Sequence, residues 1–437
     1  MENNFEKDII EKSQLLQATY IFQWIFCLIG INLPPLLNCY PKGYSKKVIK
    51  FIWCCFVLYT AFLMALVIWI VYVNNLVVDF VVFKNDLDSI TSVLSISVNI
   101  VVAFVQVICQ SVAILKHKCF KMILKRIAQL ERDILLYFQE YQWLQDNETL
   151  INFHHRCEGF RRYISLLFGL YSLVFGILIS YMNYHLVASF MNVRDKILTL
   201  ACTLAIQFKA VEYCIIVQII NEFLTCLQSS LKRLKCDIAK CQEKPFMAAV
   251  FHGKLMANQF LMNRVWFLIT DIEEYFAVPM LILYLYNGIA ITHTINWTYV
   301  RSFDYLKNDL DCGMYQSETD YILKTNTRLI FSLKFYFNNN TNYAKIISDR
   351  LYYIILTFVT MLLPCWMTQL CIDKYNQFGS ILHNIKSIDD IALNFRIREY
   401  SLQLKQQKML FSCSGYFNIN LKYFGLVIEE KSIAEGL

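Results

Sequence analysis

The chain has 437 residues, of which 57% are hydrophobic and only 17% are charged. Because a soluble domain carries about 25% charged residues, this composition excludes an ordinary soluble protein and indicates lipid as the solvent. The net charge of +7 is spread between apolar segments rather than concentrated on one compact domain, which argues against a nucleic-acid partner.

Six segments are long and apolar enough to cross a bilayer as helices of about 20 residues. They are Phe51–Val73, Ile90–Leu115, Tyr163–Leu186, Ile197–Asn221, Tyr275–Val300 and Leu351–Ile372. A seventh candidate, Tyr20–Leu37, is weaker, because Pro34 and Pro35 would end its helix near Leu33 after about 14 residues. We expect this short helix to lie at the inner membrane interface or to pack on the bundle.

The loops between the spans differ in charge. Residues 116–162 hold nine Lys or Arg, and residues 225–265 hold seven against two acidic residues, whereas residues 74–88 hold one Lys and three Asp. The positive-inside rule therefore predicts a cytosolic N-terminus and two cytosolic basic loops. The glycosylation sequons that start at Asn296 and Asn339 fall on the side predicted to be outside, which favours a glycoprotein.

Apolar stripes with helical spacing continue beyond three of the spans on the predicted cytosolic side. The first contains Phe120, Ile123, Leu124, Ile127, Leu130, Ile134, Leu135, Phe138 and Tyr141, the second Phe223, Leu227, Leu231, Leu234 and Ile238, and the third Leu382, Ile385, Ile388 and Phe395. They predict amphipathic helices that pack into a cytosolic bundle. The alternative is that these helices lie on lipid headgroups.

No catalytic motif is present in the sequence. It contains no phosphate-binding glycine loop, no Gly-x-Ser-x-Gly turn and no His-Glu-x-x-His helix, so we expect no enzyme activity and no cofactor. Cysteines are numerous, with 16 in all, but they lie mainly in apolar spans or cytosolic loops. Cys236 and Cys241 lack a second pair at zinc-binding spacing, so no metal site is expected.

Two charged residues interrupt the fourth span. Lys209 and Glu212 are three positions apart, which brings both side chains to one face of a helix. Since an unpaired charge in a membrane costs about 2.5–3.5 kcal/mol on insertion scales, the two are expected to pair or to face water. They either line a ligand cavity or ion path, or they form a structural ion pair, and the sequence leaves both alternatives open.

The segment from Tyr400 to Ile428 carries a recognisable pattern. Its matching positions are Tyr400, Ser401, Gln403, Phe411, Gly415, Tyr416, Phe417 and Asn420. An aromatic-Ser-x-Gln segment that precedes an aromatic-rich Gly-Phe-Phe-x-(Ile/Leu)-(Asp/Asn) turn resembles the C-terminal signature of insect gustatory receptors. The resemblance does not name a tastant.

The resemblance implies a tetrameric ligand-gated cation channel in the plasma membrane of sensory dendrites, gated by a small-molecule tastant. Its subunits would form a homo- or hetero-tetramer with other gustatory receptors through an inner anchor. The tastant pocket of the family opens outward between the membrane helices. Candidate ligand-binding residues here are Tyr181, Tyr184, His185, Gln207, Lys209, Glu212, Tyr286, Asn287, His293 and Tyr353.

In that family the C-terminal turn leads directly into a last, pore-lining membrane helix. Here Asn418, Asn420 and Lys422 interrupt segment 410–428, which therefore predicts no seventh span. We expect the chain as given not to conduct as a homotetramer, and the alternative role is that of a non-conducting modulatory subunit.

Two further alternatives are a secondary transporter, although the sequence shows no inverted repeat, and a G-protein-coupled receptor, which needs an external N-terminus. The sequence predicts one all-α domain over residues 1–437. It would comprise a cytosolic or interfacial N-terminal segment (1–50), a six-helix transmembrane bundle (51–373) and a cytosolic helix with the truncated C-terminal signature (374–437).

Overall fold

The computed structural model describes residues 13–34, 46–85, 89–140, 156, 159–170, 193–240, 246–313, 341–385, 390–413, 415 and 417–421. Its elements in chain order are α1 (Gln14–Ile29), α2 (Lys46–Asn85), α3 (Ser89–Leu115), α4 (His117–Glu140), α5 (Val193–Lys240), α6 (Phe246–Gly313), α7 (Thr341–His383), α8 (Ile391–Gln406), β1 (Ser412–Cys413) and β2 (Phe417–Asn418). Residues 159–170 are also helical. The predicted all-α fold is confirmed apart from the short antiparallel pair β1–β2.

Four of the described helices are long and apolar enough to cross a membrane, and a fifth span results if α3 and α4 are joined across their 67° bend. The predicted spans in α2, α3, α5, α6 and α7 lie within these elements. Most of the predicted span Tyr163–Leu186 lies outside the described residues. The predicted domain boundaries at residues 50 and 373 stay predictions.

Helix α5 forms the centre of the bundle. Burial covers 83% of an 18-residue apolar stretch within Ile206–Lys240 of α5, against 11% of the corresponding stretch within Lys50–Trp69 of α2. Helices α1, α3, α6 and α7 all pack against α5. Because lipid covers the outside of such a bundle, α5 is the helix on which polar side chains can be enclosed by protein.

The weak seventh candidate forms α1, which packs one face on α4 and α5. Leu16, Phe22 and Phe26 on that face are buried, whereas Ile21 and Leu28 on the other face are exposed. Helix α1 therefore packs on the bundle, as one of the two alternatives expected, and its position at the inner membrane interface stays a prediction.

Helix α1 ends at Gly30 rather than near Leu33, so the expected end was wrong. Gly30 has φ 80°, its N–H donates to the Cys27 carbonyl, and the Ile31 N–H donates to the Phe26 carbonyl, both at 3.0 Å. This is a Schellman cap, whose left-handed residue is normally glycine. A Cβ at this position would also lie 2.7 Å from Cδ1 of Leu63. The glycine therefore stops the helix before the prolines are reached.

The start of α1 is held by a carboxylate from α4. Ser13 caps the helix by accepting from the Leu16 N–H at 3.2 Å, and its hydroxyl donates to Oε2 of Glu131. The Gln14 N–H donates to Oε1 of Glu131 at 2.8 Å, and the Leu15 N–H donates to Oε2 at 3.4 Å. The N–H groups that a helix start leaves free are thus satisfied, and the negative charge lies at the positive end of the helix dipole.

The apolar stripes beyond the spans are largely buried against one another. Ile123, Ile127 and Ile134 on α4 and Phe223 and Leu231 on α5 are at most 1% exposed. The described residues of the first two stripes therefore pack into a bundle, whereas Tyr141 of the first stripe and Ile388 of the third lie outside the described residues. In the third stripe Leu382 and Ile385 are buried, but Phe395 on α8 is 68% exposed, so the prediction for that residue was wrong.

Replacing Glu131 with Ala is expected to destabilise the protein by about 1–3 kcal/mol, because the buried donors at the start of α1 lose their acceptor. The melting temperature of the detergent-solubilised chain, followed by fluorescence-detected size-exclusion chromatography, measures this effect. Glu399→Ala removes a partly exposed carboxylate that pairs with Arg396 at 2.8 Å, and it should change little. Equal melting temperatures for the two variants would contradict the proposed role of Glu131.

Candidate functional site

Lys209 and Glu212 form an ion pair enclosed by the bundle. The Lys209 Nζ lies 2.6 Å from Oε2 of Glu212, and both side chains are at most 3% exposed. Nζ also donates to the hydroxyl of Tyr275 at 3.3 Å and lies 4.7 Å from the centre of that ring and 5.0 Å from the ring of Phe276. Ring faces attract a cation, so helix α6 adds to the stabilisation that Glu212 provides.

The second carboxylate oxygen of Glu212 reaches helix α1. Nδ2 of Asn32 donates to Oε1 of Glu212 at 2.7 Å, and Oδ1 of Asn32 accepts from the Leu33 N–H at 2.9 Å. Asn32 is 1% exposed and follows the cap of α1 by two residues. Sequence reasoning missed this residue, since nothing near it in the chain indicates a partner 180 positions away.

A small cavity lies beside this network. Its volume of about 10 Å³ is close to the least that holds one water molecule. Its lining consists of Thr19, Phe22, Gln23, Phe26, Phe120, Glu212, Ile215 and Ile216. This space holds about one water molecule, and Lys209 and Glu212 are paired with each other. Their assignment as ligand-binding residues stays a prediction.

The other candidate ligand residues form two contacts on neighbouring positions of α6. Nε2 of Gln207 on α5 donates to Oδ1 of Asn287 at 3.1 Å, and both residues are buried. The side chains of Tyr286 and Tyr353 are hydrogen-bonded to each other, which joins α6 to α7. His293 lies further along α6, near Arg350 of α7. Tyr181, Tyr184 and His185 lie outside the described residues.

Several buried amide atoms have no hydrogen-bond partner among the described residues. Oε1 of Gln207 is one, and on α3 both amide atoms of Gln110 and Oε1 of Gln106 are others. These glutamines are at most 6% exposed. Gln106 and Gln110 were not among the candidates, although their spacing of four in an apolar span is a signal that could have found them. Polar atoms of this kind are positioned to bind water or a ligand.

The signature residue Tyr400 joins three helices at the end of the bundle that is predicted to be cytosolic. Its hydroxyl donates to Oδ1 of Asn258 on α6 at 2.9 Å, and Nδ2 of Asn258 donates to the carbonyl of Leu227 on α5 at 3.2 Å. All three residues are fully buried. Burial raises the pKa of the Tyr400 phenol well above its usual value, so the hydroxyl remains a donor at physiological pH.

Gln403 extends this joint through amide contacts. Nε2 of Gln259 donates to Oε1 of Gln403 at 2.6 Å, and Nε2 of Gln403 donates to Oε1 of Gln407 at 2.9 Å. Nε2 of Gln407 in turn donates to Oδ1 of Asn263 at 2.8 Å. Side-chain amides thus attach α8 to α6 along two turns. Ser401 is half-buried in α8.

The rest of the signature folds into the β1–β2 hairpin. Cys413 is opposite Phe417 in the ladder, and Gly415 adopts φ 78° in the turn, a conformation that favours glycine. The Ile419 N–H donates to the Phe411 carbonyl at 2.7 Å. Burial, with Cys365 and Glu273 nearby, raises the pKa of Cys413 to about 12, so its thiol stays protonated. Tyr416 lies outside the described residues.

The hairpin is fixed to two membrane helices. The Ser412 N–H donates to Oε1 of Glu273 on α6 at 2.5 Å, and the hydroxyl of Thr368 on α7 donates to the carbonyl of Ile419. Asn420 is half-buried at the end of this segment. The signature therefore forms a structural joint between α5, α6, α7 and α8.

The two predicted glycosylation sites differ in what the structure describes. Asn296 lies inside helix α6, and the hydroxyl of Thr298, the third residue of its sequon, donates to the Thr294 carbonyl at 2.7 Å. Asn339 lies outside the described residues. Glycosylation of either residue stays a prediction.

A family model described as 7tm Chemosensory receptor matches residues 16–428. The chain belongs to this chemosensory receptor family. The resemblance predicted from the C-terminal signature is therefore confirmed, and the exclusion of an enzyme agrees with membership of a receptor family. Within the parts that the structure describes, no cluster of His, Cys, Asp or Glu has the geometry of a metal site.

Two curated relatives come from Drosophila melanogaster. The chain is 27% identical to putative gustatory receptor 98b over 421 residues, which cover 95% of this chain and 92% of the relative. It is 28% identical to putative gustatory receptor 98c over 277 residues, which cover 61% of this chain and 57% of that relative.

The fold is similar to that of a solved insect olfactory receptor. The structure of OR5 from Machilis hrabei superposes with a TM-score of 0.55 at 9% identity and covers 94% of this chain and 96% of that receptor. The complex of OR5 with eugenol gives a TM-score of 0.54 at 10% identity, with 95% and 97% coverage. At this identity the similarity shows the fold alone, and it confirms a helical membrane bundle.

Removing one partner of the buried ion pair should destabilise the protein more than replacing both partners by apolar residues. Glu212→Leu leaves Lys209 charged in an apolar interior, and Lys209→Met leaves the Glu212 carboxylate without its cation, so we expect a loss of about 3–5 kcal/mol from each single variant. The double variant Lys209→Met with Glu212→Leu should recover most of this loss. Melting temperatures and cell-surface amounts of the wild type, both single variants and the double variant provide the measurement. A double variant as unstable as the sum of its single variants would contradict the pairing.

Tyr400→Phe tests the cytosolic joint. The ring is retained, but the acceptor of Asn258 is left buried without its donor, so a loss of about 1–3 kcal/mol is expected. Tyr352→Phe removes a hydroxyl from a ring that is 56% exposed, and this matched variant should melt like the wild type. If both variants melt at the wild-type temperature, the Tyr400 hydroxyl does not hold the joint.

Proposed function

We propose that the chain is a tastant-sensing subunit of a ligand-gated cation channel in the plasma membrane of chemosensory neurons. The observation that carries this proposal is the family match, which runs from residue 16 to residue 428 and includes the C-terminal signature. A receptor fits this match better than the alternative of a secondary transporter.

We propose a ligand pocket near the contacts that Tyr286 and Asn287 make with α5 and α7. Aromatic rings with a few polar groups suit small organic ligands. OR5, which has a similar fold, has been solved with eugenol, a small phenol. The unpartnered oxygen of Gln207 would accept a hydrogen bond from a ligand of this general type. A ligand that binds the open state better than the closed state would shift the population towards conduction.

We also propose that subunits meet through an apolar surface at the cytosolic end. Ile391 and Phe395 on α8 are 87% and 68% exposed, and Met256 and Phe260 on α6 are more than half exposed. The two helices are neighbours, because Nη2 of Arg396 lies 3.9 Å from Sδ of Met256. This patch lies beyond the predicted membrane spans, so lipid would not cover it, and a second subunit is the natural partner. A homo- or hetero-tetramer of gustatory receptors is the assembly that we propose.

The predicted lack of a seventh span concerns segment 410–428, of which residues 410–413, 415 and 417–421 are described and include the β1–β2 hairpin, whereas residues 422–428 lie outside the described residues. It stays a prediction, as does the alternative role of a modulatory subunit. Both bear on how the proposed function is tested, because a subunit without a pore helix would need complete partners to conduct.

The test is whole-cell recording with a panel of sugars, bitter alkaloids and small phenols. We expect ligand-gated cation current in cells that express the chain together with a complete gustatory receptor, with a response profile that differs from the partner alone. Gln207→Leu should change this profile while leaving surface expression intact, because it removes the polar oxygen from the proposed pocket. The exposed substitution Leu285→Ala serves as its control.

A profile identical to that of the partner alone, with the chain present at the surface, would contradict the proposed receptor function. Robust tastant-gated current from the chain expressed alone would instead refute the predicted lack of conduction, and it would leave the receptor function supported.

A further inference from the structure

One face of helix α2 is exposed over several turns at its predicted cytosolic end. Phe51, Leu58 and Phe62 on this face are 69%, 70% and 63% exposed. Two adjacent cysteines, Cys54 and Cys55, are exposed on the same face. The positions 51, 54, 55, 58 and 62 follow the spacing of a single helical stripe. Because the stripe is apolar, it faces lipid acyl chains, and both thiols lie on this lipid-facing surface.

The depth of the two cysteines follows from the charges that precede them. Lys47 and Lys50 are exposed in the first turns of α2, and Lys50 is the last charged residue before the span. Lysines at this position lie at the cytosolic headgroup level. Cys54 is four residues further along, which places it about 6 Å deeper. The thiols therefore lie at the boundary between headgroups and acyl chains on the cytosolic side.

We propose that Cys54 and Cys55 are sites of S-acylation by long-chain fatty acids. Juxtamembrane cysteines at the cytosolic face are the usual acceptors of this modification. A fatty acyl-coenzyme A, delivered by a membrane-bound acyltransferase, is the co-reactant. The cysteine sulfur attacks the thioester carbonyl carbon, a new carbon–sulfur bond forms, and the bond to the coenzyme A sulfur breaks. The thiol proton passes to coenzyme A, which leaves as a free thiol, and nothing is oxidised or reduced.

Among the other cysteines, those whose exposure the structure describes are less suited to this chemistry. Seven are buried, namely Cys27, Cys109, Cys214, Cys226, Cys365, Cys371 and Cys413, and Cys119 is half-buried. Cys236 is exposed but lies 15 residues beyond Asn221, about 22 Å further along α5 and away from the bilayer. It provides an exposed cysteine of the same chain that a membrane-bound acyltransferase would not reach.

Metabolic labelling tests this assignment. Insect cells that express the full chain are fed an alkyne analogue of palmitate, and the immunoprecipitated protein is conjugated to a dye, with and without hydroxylamine. We expect hydroxylamine-sensitive labelling of the wild type and its loss in the variant Cys54→Ser with Cys55→Ser. Each single variant should retain part of the label, and Cys236→Ser should retain all of it, with labelling normalised to the amount of protein.

A direct readout does not depend on any variant. Mass spectrometry of the wild-type peptide that contains Cys54 and Cys55 should show the added mass of one or two acyl groups, which hydroxylamine removes. An unmodified peptide, or labelling of the double variant at the wild-type level, would overturn the proposal. Labelling that disappears only in Cys236→Ser would overturn it as well, since the acceptor would then lie outside α2.

Discussion

Glu212 is the buried charge on which the relative positions of three helices depend. A carboxylate removed from water costs several kcal/mol unless its oxygens are hydrogen-bonded or paired. Its two oxygens are satisfied by Lys209 of the same helix and by Asn32, which follows α1. Lys209 in turn needs the ring and hydroxyl of Tyr275 on α6. A shift of α1 or α6 along α5 would leave one of these groups unsatisfied, so the network fixes the register of all three helices.

A second carboxylate holds the opposite end of α1. Glu131 binds the first turn of this helix, while Glu212 holds the residues just after its cap. A helix of 16 residues is about 24 Å long, which is too short to be positioned by spanning the bilayer. Its position depends instead on these polar contacts at both ends and on its buried apolar face. Helix α1 thereby links helix α4, which is predicted to be cytosolic, to the apolar helix α5.

Local patterns in the sequence predicted the spans and most of the cytosolic helices because these depend on periodicity alone. The stripe of Leu227 and Leu231, for example, is buried as its spacing requires. Partners that are distant in the chain could not be predicted in this way. Nothing in the sequence distinguishes Asn32 from any other loop asparagine. Only the folded bundle brings its Nδ2 to 2.7 Å from Oε1 of Glu212. Gly30 ended α1 earlier than expected because a Schellman cap acts before a downstream proline does.

The candidate site was predicted less completely than the fold for a related reason. The sequence selected Gln207, Tyr286 and Asn287 as candidate ligand residues within predicted spans, but it could not show which of them meet. Gln207 contacts Asn287, whereas Tyr286, which precedes Asn287 in the chain, contacts Tyr353 on α7. The misassigned Phe395 shows the same limit, since an apolar residue at helical spacing can face a partner outside the chain as well as its own core.

Helix α6 connects the proposed pocket to the signature joint. It runs without a break from Phe246 to Gly313, so Asn287 in the pocket region and Asn258 in the joint belong to one element. The outer contact is a single amide pair with Gln207, whereas the inner contact includes a backbone carbonyl of α5 and the Tyr400 hydroxyl. Of the two contacts, the outer one could be replaced by a ligand at a small cost in free energy. The ligand would exchange one side-chain hydrogen bond for another. A displacement that begins there would be carried along α6 to the residues that define the family.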